Sequence, residues 1–178
     1  MVLIGLVGAI ALSVILTYLG HLIRNWQFVQ NPTHFLLLIF WMVANVIGHI
    51  IGIWAYRFVD LDVYFSTFVI MSPVVIFTLA VTTLIPTSTP ENETIDLDSI
   101  YFASSRSVFF LLALHCASAL AADYLPGVTG APPALFMLTM VAILLIASAT
   151  KHKPTHLVLL ILVIASQALP PVINALGL

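Results

Sequence analysis

Two histidines, His49 and His115, stand inside long apolar stretches, and Trp41, Asn45 and His49 recur at intervals of four. That interval places all three on one helical face. An ionisable residue within a membrane-spanning segment is costly to bury and marks a functional position by default. Asn45, His49 and His115 could therefore line a polar path or relay protons. The same two imidazoles, at similar depth, could instead be the axial ligands of a haem whose potential burial would tune. The plainer reading is neutral histidines hydrogen-bonded to Asn45, Ser118 or backbone carbonyls.

Arg106 is the other residue with a chemical claim. Only Val108 to Ala122 is purely small or apolar after it, which is short for a complete span. Its helix should start earlier, near Tyr101, leaving Arg106 at an interface where it can snorkel, bind a lipid phosphate or pair with an acidic loop. His21, Arg24, His34, Lys151, His152, Lys153 and His156 add further cations on the same side. Such a ring can attract anionic lipid or an anionic solute, and protonation of its histidines would make that face pH-sensitive. The hydroxyls of span three (Ser66, Thr67, Ser72, Thr78, Thr82, Thr83) and Ser166, Gln167 and Asn174 lie near backbone interrupted by proline, where a water-filled cavity could satisfy freed groups.

No catalytic triad, zinc helix or nucleophile elbow has the required spacing, so enzymatic chemistry has no support in the sequence. The single Cys116 excludes an intrachain disulfide and reads as a small packing residue. A net charge of -2 leaves no broad basic surface, which argues against nucleic acid as a partner.

The elements that must position these residues are helices in lipid. The chain is 62% hydrophobic and only 7% charged, whereas soluble domains carry roughly a quarter charged residues. Apolar runs long enough to cross a bilayer recur with short breaks. We expect an all-α polytopic bundle of about six transmembrane helices in a single domain, with spans near 2–23, 35–56, 63–85, 101–122, 133–149 and 157–176. Residues 86–99 form a polar loop containing Glu91, Glu93, Asp96 and Asp98 and no base, with Asp98 or Ser99 capping the fourth helix. The first span lacks a basic leader region and a clear cleavage site, and reads as retained. Pro73 should kink the third helix, and Pro170 with Pro171 should kink or shorten the sixth. Tyr101 and Phe102 read as interfacial aromatics.

Six spans put the connections after spans one, three and five on one side, with Arg24, Arg106, Lys151 and Lys153, and leave only Arg57 opposite. This bias makes that side cytoplasmic and both termini external. Gly48 and Gly52 allow close helix approach, and Ala113, Ala117 and Ala121 offer a matching stripe; either could pack within the chain or form a subunit interface.

The string Tyr101, Phe102, Ala103, Ser104, Ser105, Arg106, Ser107, Val108, Phe109, Phe110, following a span that ends at Pro86 and an acidic loop, resembles a widespread group of small bacterial multi-span proteins of uncharacterised function. The resemblance spans about the middle half of the chain and includes Pro73. It implies a bacterial inner-membrane location and directs attention to Arg106, Phe109 and Phe110, without implying a reaction or ligand. The leading expectation is a small oligomeric channel or carrier with Asn45, His49 and His115 beside its path and Arg106 at its inner mouth. The alternatives are a haem-binding electron-transfer protein and a non-catalytic subunit docked on a larger membrane complex.

Overall fold

The apolar runs close their backbone hydrogen bonds within themselves, and in the computed structural model they form helices α1 (Val2–Arg24), α2 (Thr33–Gly52), α3 (Val63–Leu84), α4 (Leu97–Asp123), α5 (Ala134–Ala149) and α6 (Lys153–Leu176). The backbone is described for residues 2–52, 63–86, 93–125 and 134–176, and side chains for 5–48, 68–86, 93–125 and 134–166. Among the described residues the fold is all-helical, apart from one pair of two-residue strands.

α4 is the hub. It packs most closely on α3 and α5 and also touches α2. Contacts of α1 with α2 and α3, and of α6 with α2 and α5, complete a ring in the order α1, α3, α4, α5, α6, α2. The core fills this ring with Phe35, Leu38 and Met42 of α2, Phe77 of α3, Phe109 and Leu112 of α4, Leu144 of α5 and Leu160 of α6. Much of the outer surface is also apolar: Ile23, Phe40, Phe68 and Leu135 are all more than 60% exposed.

The connections after α1, α3 and α5 meet at one end. Strand β1 (Val29–Gln30) follows a short 3-10 turn and pairs in parallel with β2 (Ile95–Asp96), in the register Val29 to Ile95 and Gln30 to Asp96. Asn31 then turns the chain towards α2 at φ 49°, a left-handed conformation that asparagine tolerates. Its Nδ2 donates to Asp96 Oδ1 at 3.2 Å. At the end of α1, Asn25 caps the helix by donating both its backbone N–H and its Nδ2 to the carbonyl of His21.

Several local expectations change. α4 begins at Leu97, so the loop expected over 86–99 gives way to strand and helix from Ile95 onward. The N-cap position is Asp96, whose side chain makes no capping bond. Ser99 and Asp98 lie inside the first turn, and Asp98 is drawn inward by cations from two other helices. Tyr101 is a fully buried core residue rather than an interfacial one, because its hydroxyl finds a buried partner. α3 runs unbroken across Pro73. The ring removes the N–H that Val69 O would accept, and Ser72 Oγ donates to that carbonyl instead at 3.0 Å. The helical backbone of α6 continues through Pro170 and Pro171 to Leu176.

Candidate functional site

The converging end holds the densest polar network in the described structure. His34, in the first turn of α2, donates from Nδ1 to Asp98 Oδ1 at 2.8 Å and from Nε2 to the carbonyl of Lys153 at 3.2 Å. Lys153, the first residue of α6, donates from Nζ to Asp98 Oδ2 at 2.9 Å. Both carboxylate oxygens are thus occupied, and the imidazole ring faces an acceptor at each nitrogen. His34 with both nitrogens protonated satisfies both bonds at once.

Burial alone would raise the carboxyl pKa of Asp98. The hydrogen bonds from Lys153 and His34, with the positive charge they carry, outweigh that effect and hold it below its ordinary value. Asp98 therefore stays ionised near neutral pH, and it ties together the starts of α2, α4 and α6.

One turn further along α4, Tyr101 donates its hydroxyl to His156 Nδ1 at 2.8 Å, while His156 Nε2 donates to the carbonyl of Thr150 at 2.7 Å. The carbonyl can only accept, so the proton sits on Nε2 and the lone pair of Nδ1 receives the tyrosine. Burial pushes the pKa of His156 below its ordinary value; the Thr150 bond works against this and the charge of His34 adds to it. Rings enclose the pair: Phe102 and Phe109 stand edge-on to His156 at centroid distances of 5.1 and 5.4 Å. Lys153 Nζ also lies 5.6 Å from the centre of the Phe102 ring. The result is a charged clasp beside a neutral buried imidazole, in a dry aromatic setting.

The expected site residues are dispersed. Asn45 is half-buried and donates to the carbonyl of Trp41, one turn back on its own helix, at 2.9 Å. The side chains of His49 and Gly52 lie outside the described residues. His115 is buried and donates from Nδ1 to the carbonyl of Pro73 at 2.8 Å, with Phe77 edge-on at 5.2 Å. That bond joins α4 to α3 at the proline. Arg106 precedes His115 by nine residues, about two and a half turns, so it lies on the opposite side of α4 and is exposed.

The small-residue stripes divide similarly. A methyl added to Gly48 would meet nothing within 4 Å, so among the described residues no helix packs closely there. Ala113 is buried while Ala117 and Ala121 are exposed. Steps of four residues overshoot a full turn by about 40°, which carries such a stripe around the helix.

A paired-histidine haem needs His49, which lies outside the described side chains. Among the described residues, no group of three or more His, Cys, Asp or Glu side chains is placed to hold a metal ion. Two buried polar atoms also lack hydrogen-bond partners among the described residues, Tyr18 Oη and Trp41 Nε1.

Sequence reasoning placed His34, Lys153 and His156 in a diffuse ring of cations and Asp98 in a solvated loop. Only the tertiary fold gathers them. The available signal was the coincidence of one acid and two histidines at the starts of three helices on one side. Compared with known proteins, the chain matches no family model, no curated protein and no solved structure.

Proposed function

We propose that the chain is a six-helix membrane protein of a bacterial inner membrane, acting as a small channel or carrier whose cytoplasmic end is gated by protonation. The membrane reading is supported by the pattern of exposure: large apolar side chains cover the outside of the bundle as well as filling its core. By length and composition, two of the described stretches, Gly5–Arg24 and Leu97–Asp123, are long and apolar enough to cross a bilayer. The gathering of Arg24, Arg106, Lys151 and Lys153 at the converging end supports a cytoplasmic side for that end, with both termini outside.

The gating reading is supported by the cluster of buried His34, Asp98, Tyr101 and His156, closed on its outer side by the exposed Lys153. Beyond this cluster lies an apolar layer that includes Val108, Phe109 and Leu112 of α4 and Leu160 and Val163 of α6. Nothing charged passes such a layer without rearrangement. Protonation of His156 puts a donor on Nδ1, opposite the hydroxyl that now donates to it. The bond from Tyr101 is then lost or reversed, and the grip of α6 on α4 loosens. His156 protonates below its ordinary range, so opening belongs on the acid side of about pH 6.5.

The test is flux of protons, potassium and chloride into liposomes carrying the purified protein, from pH 5 to 8. Acid-activated flux is expected, and His156→Gln should abolish its pH dependence while the protein stays folded. Flux no greater than in protein-free liposomes at every pH overturns the reading. A second reading, a docking subunit or homo-oligomer joined through α2, is favoured by the open face at Gly48. Cross-linking in native membranes would reveal a partner chain or a second copy there.

A further inference from the structure

On the outer side of α4, away from the buried cluster, lies a cleft of about 630 Å³ lined by Arg106, Ser107 and Phe110 of α4, Ser148 and Ala149 of α5, and Lys151 of the following connection. Arg106 and Lys151 are exposed, and among the described residues neither has an ion-pair partner. Among the described acids of this end none lines the cleft: Asp98 is held by His34 and Lys153, Asp96 accepts from Asn31, and Glu93 is not among the lining residues. Asp123 stands at the far end of α4. Two cations and the Ser107 hydroxyl therefore surround a space with no acid of its own. A phosphodiester matches that set, because guanidinium and ammonium groups donate to its two free oxygens.

The apolar walls choose between a free phosphate and a lipid. Phe110 and Leu114 follow Arg106 at intervals of four along α4 and are 54% and 44% exposed. Leu145, one turn before Ala149 on α5, is 43% exposed, and Leu138 a further two turns away is 54% exposed. Charge at one end of exposed apolar side chains on two adjoining helices fits a headgroup with acyl chains running beside it; a soluble anion would leave those side chains bare.

We propose, building on the membrane reading above, that this cleft binds an anionic phospholipid of the cytoplasmic leaflet, with its phosphate held by Arg106 and Lys151. The lipid then bridges α4 and α5 on the face opposite His115.

The protein, purified in a neutral detergent, is titrated with phosphatidylglycerol, phosphatidylcholine or inorganic phosphate, and bound molecules are counted by native mass spectrometry. Phosphatidylglycerol should bind in preference to phosphatidylcholine. Arg106→Gln and Lys151→Gln should each weaken it about fivefold and together about thirtyfold, the attraction typical of one and two basic side chains. Arg106→Lys should keep most of the affinity, and Arg24→Gln, outside the cleft, should change nothing. Equal binding of the two lipids, or an unchanged preference in the Arg106→Gln, Lys151→Gln double variant, overturns the proposal. So does full displacement of the lipid by inorganic phosphate at matching concentration, which would identify a soluble anion as occupant. Alkaline extraction of expressing membranes separates the two readings: release of the chain defeats the membrane assignment, whereas a retained chain without lipid preference defeats only the lipid site.

Discussion

Replacing Asp98 with asparagine should cost far more stability than removing the charge of Lys153, although both residues belong to one ion-paired cluster. The side chains of Asp98 and His34 are each 11% exposed, whereas that of Lys153 is 60% exposed. Asp98→Asn leaves an amide where two donors converge in a site with little water, so its Oδ1 can accept from only one of them while its Nδ2 opposes the other. Removing one partner of a buried pair costs about 3–5 kcal/mol. The residual access of water to Asp98 argues for the lower end, about 3 kcal/mol. Lys153→Met keeps an aliphatic side chain and removes a solvent-screened ammonium, with its pairing to Asp98 and its contact with the Phe102 ring, together worth about 1 kcal/mol. The backbone carbonyl that accepts from His34 Nε2 is retained in both variants.

The assay is reversible unfolding in mixed micelles at pH 7, repeated as the pH is lowered. Because the native pKa of Asp98 is depressed, its contribution is complete above the unfolded carboxyl value of about 3.9 and disappears as pH falls through the lower native value. Wild type and Asp98→Asn should therefore differ near neutrality and converge in strong acid. Equal losses for Asp98→Asn and Lys153→Met, or a gap that persists in strong acid, would refute the idea that the bond between Asp98 and the buried histidine holds this cluster together.

Two tyrosines should behave oppositely in the same unfolding assay. Tyr101→Phe strands His156 Nδ1 without its donor and should cost about 1–3 kcal/mol, while Tyr18→Phe removes a buried hydroxyl that has no partner among the described residues and should be neutral or stabilising; a loss of more than about 1 kcal/mol for Tyr18→Phe would mean that hydroxyl is bonded. The lowered pKa of His156 predicts a further decline in wild-type stability beginning below about pH 6.5, where the unfolded chain takes up a proton that the native site resists. His156→Gln should remove that decline, and an unchanged pH profile would show that His156 titrates normally. For the haem alternative, protein expressed with ample haem should show a Soret band that His49→Ala and His115→Ala each abolish; a colourless folded protein would exclude it.

The helical class of this protein was legible from composition and run length, because apolar runs of about twenty residues with short breaks are far longer than ordinary strands. The importance of Pro73 was legible too, although its consequence was not. The helix continues because Ser72 and His115 take up carbonyls around the proline, and His115 does so from another helix. Equal spacing along α2 suggested that Asn45 and His49 share a face, and it could not say whether that face meets another helix. The strongest polar site was hidden for a similar reason. His34, Asp98, Lys153 and His156 occupy three separate helix starts, and their meeting depends on the connections folding back to one end. Periodicity is a property of one helix at a time. Which helices adjoin, and at what rotation, is decided by packing among all six, and that packing turned an acid expected in a solvated loop into the anchor of the buried cluster.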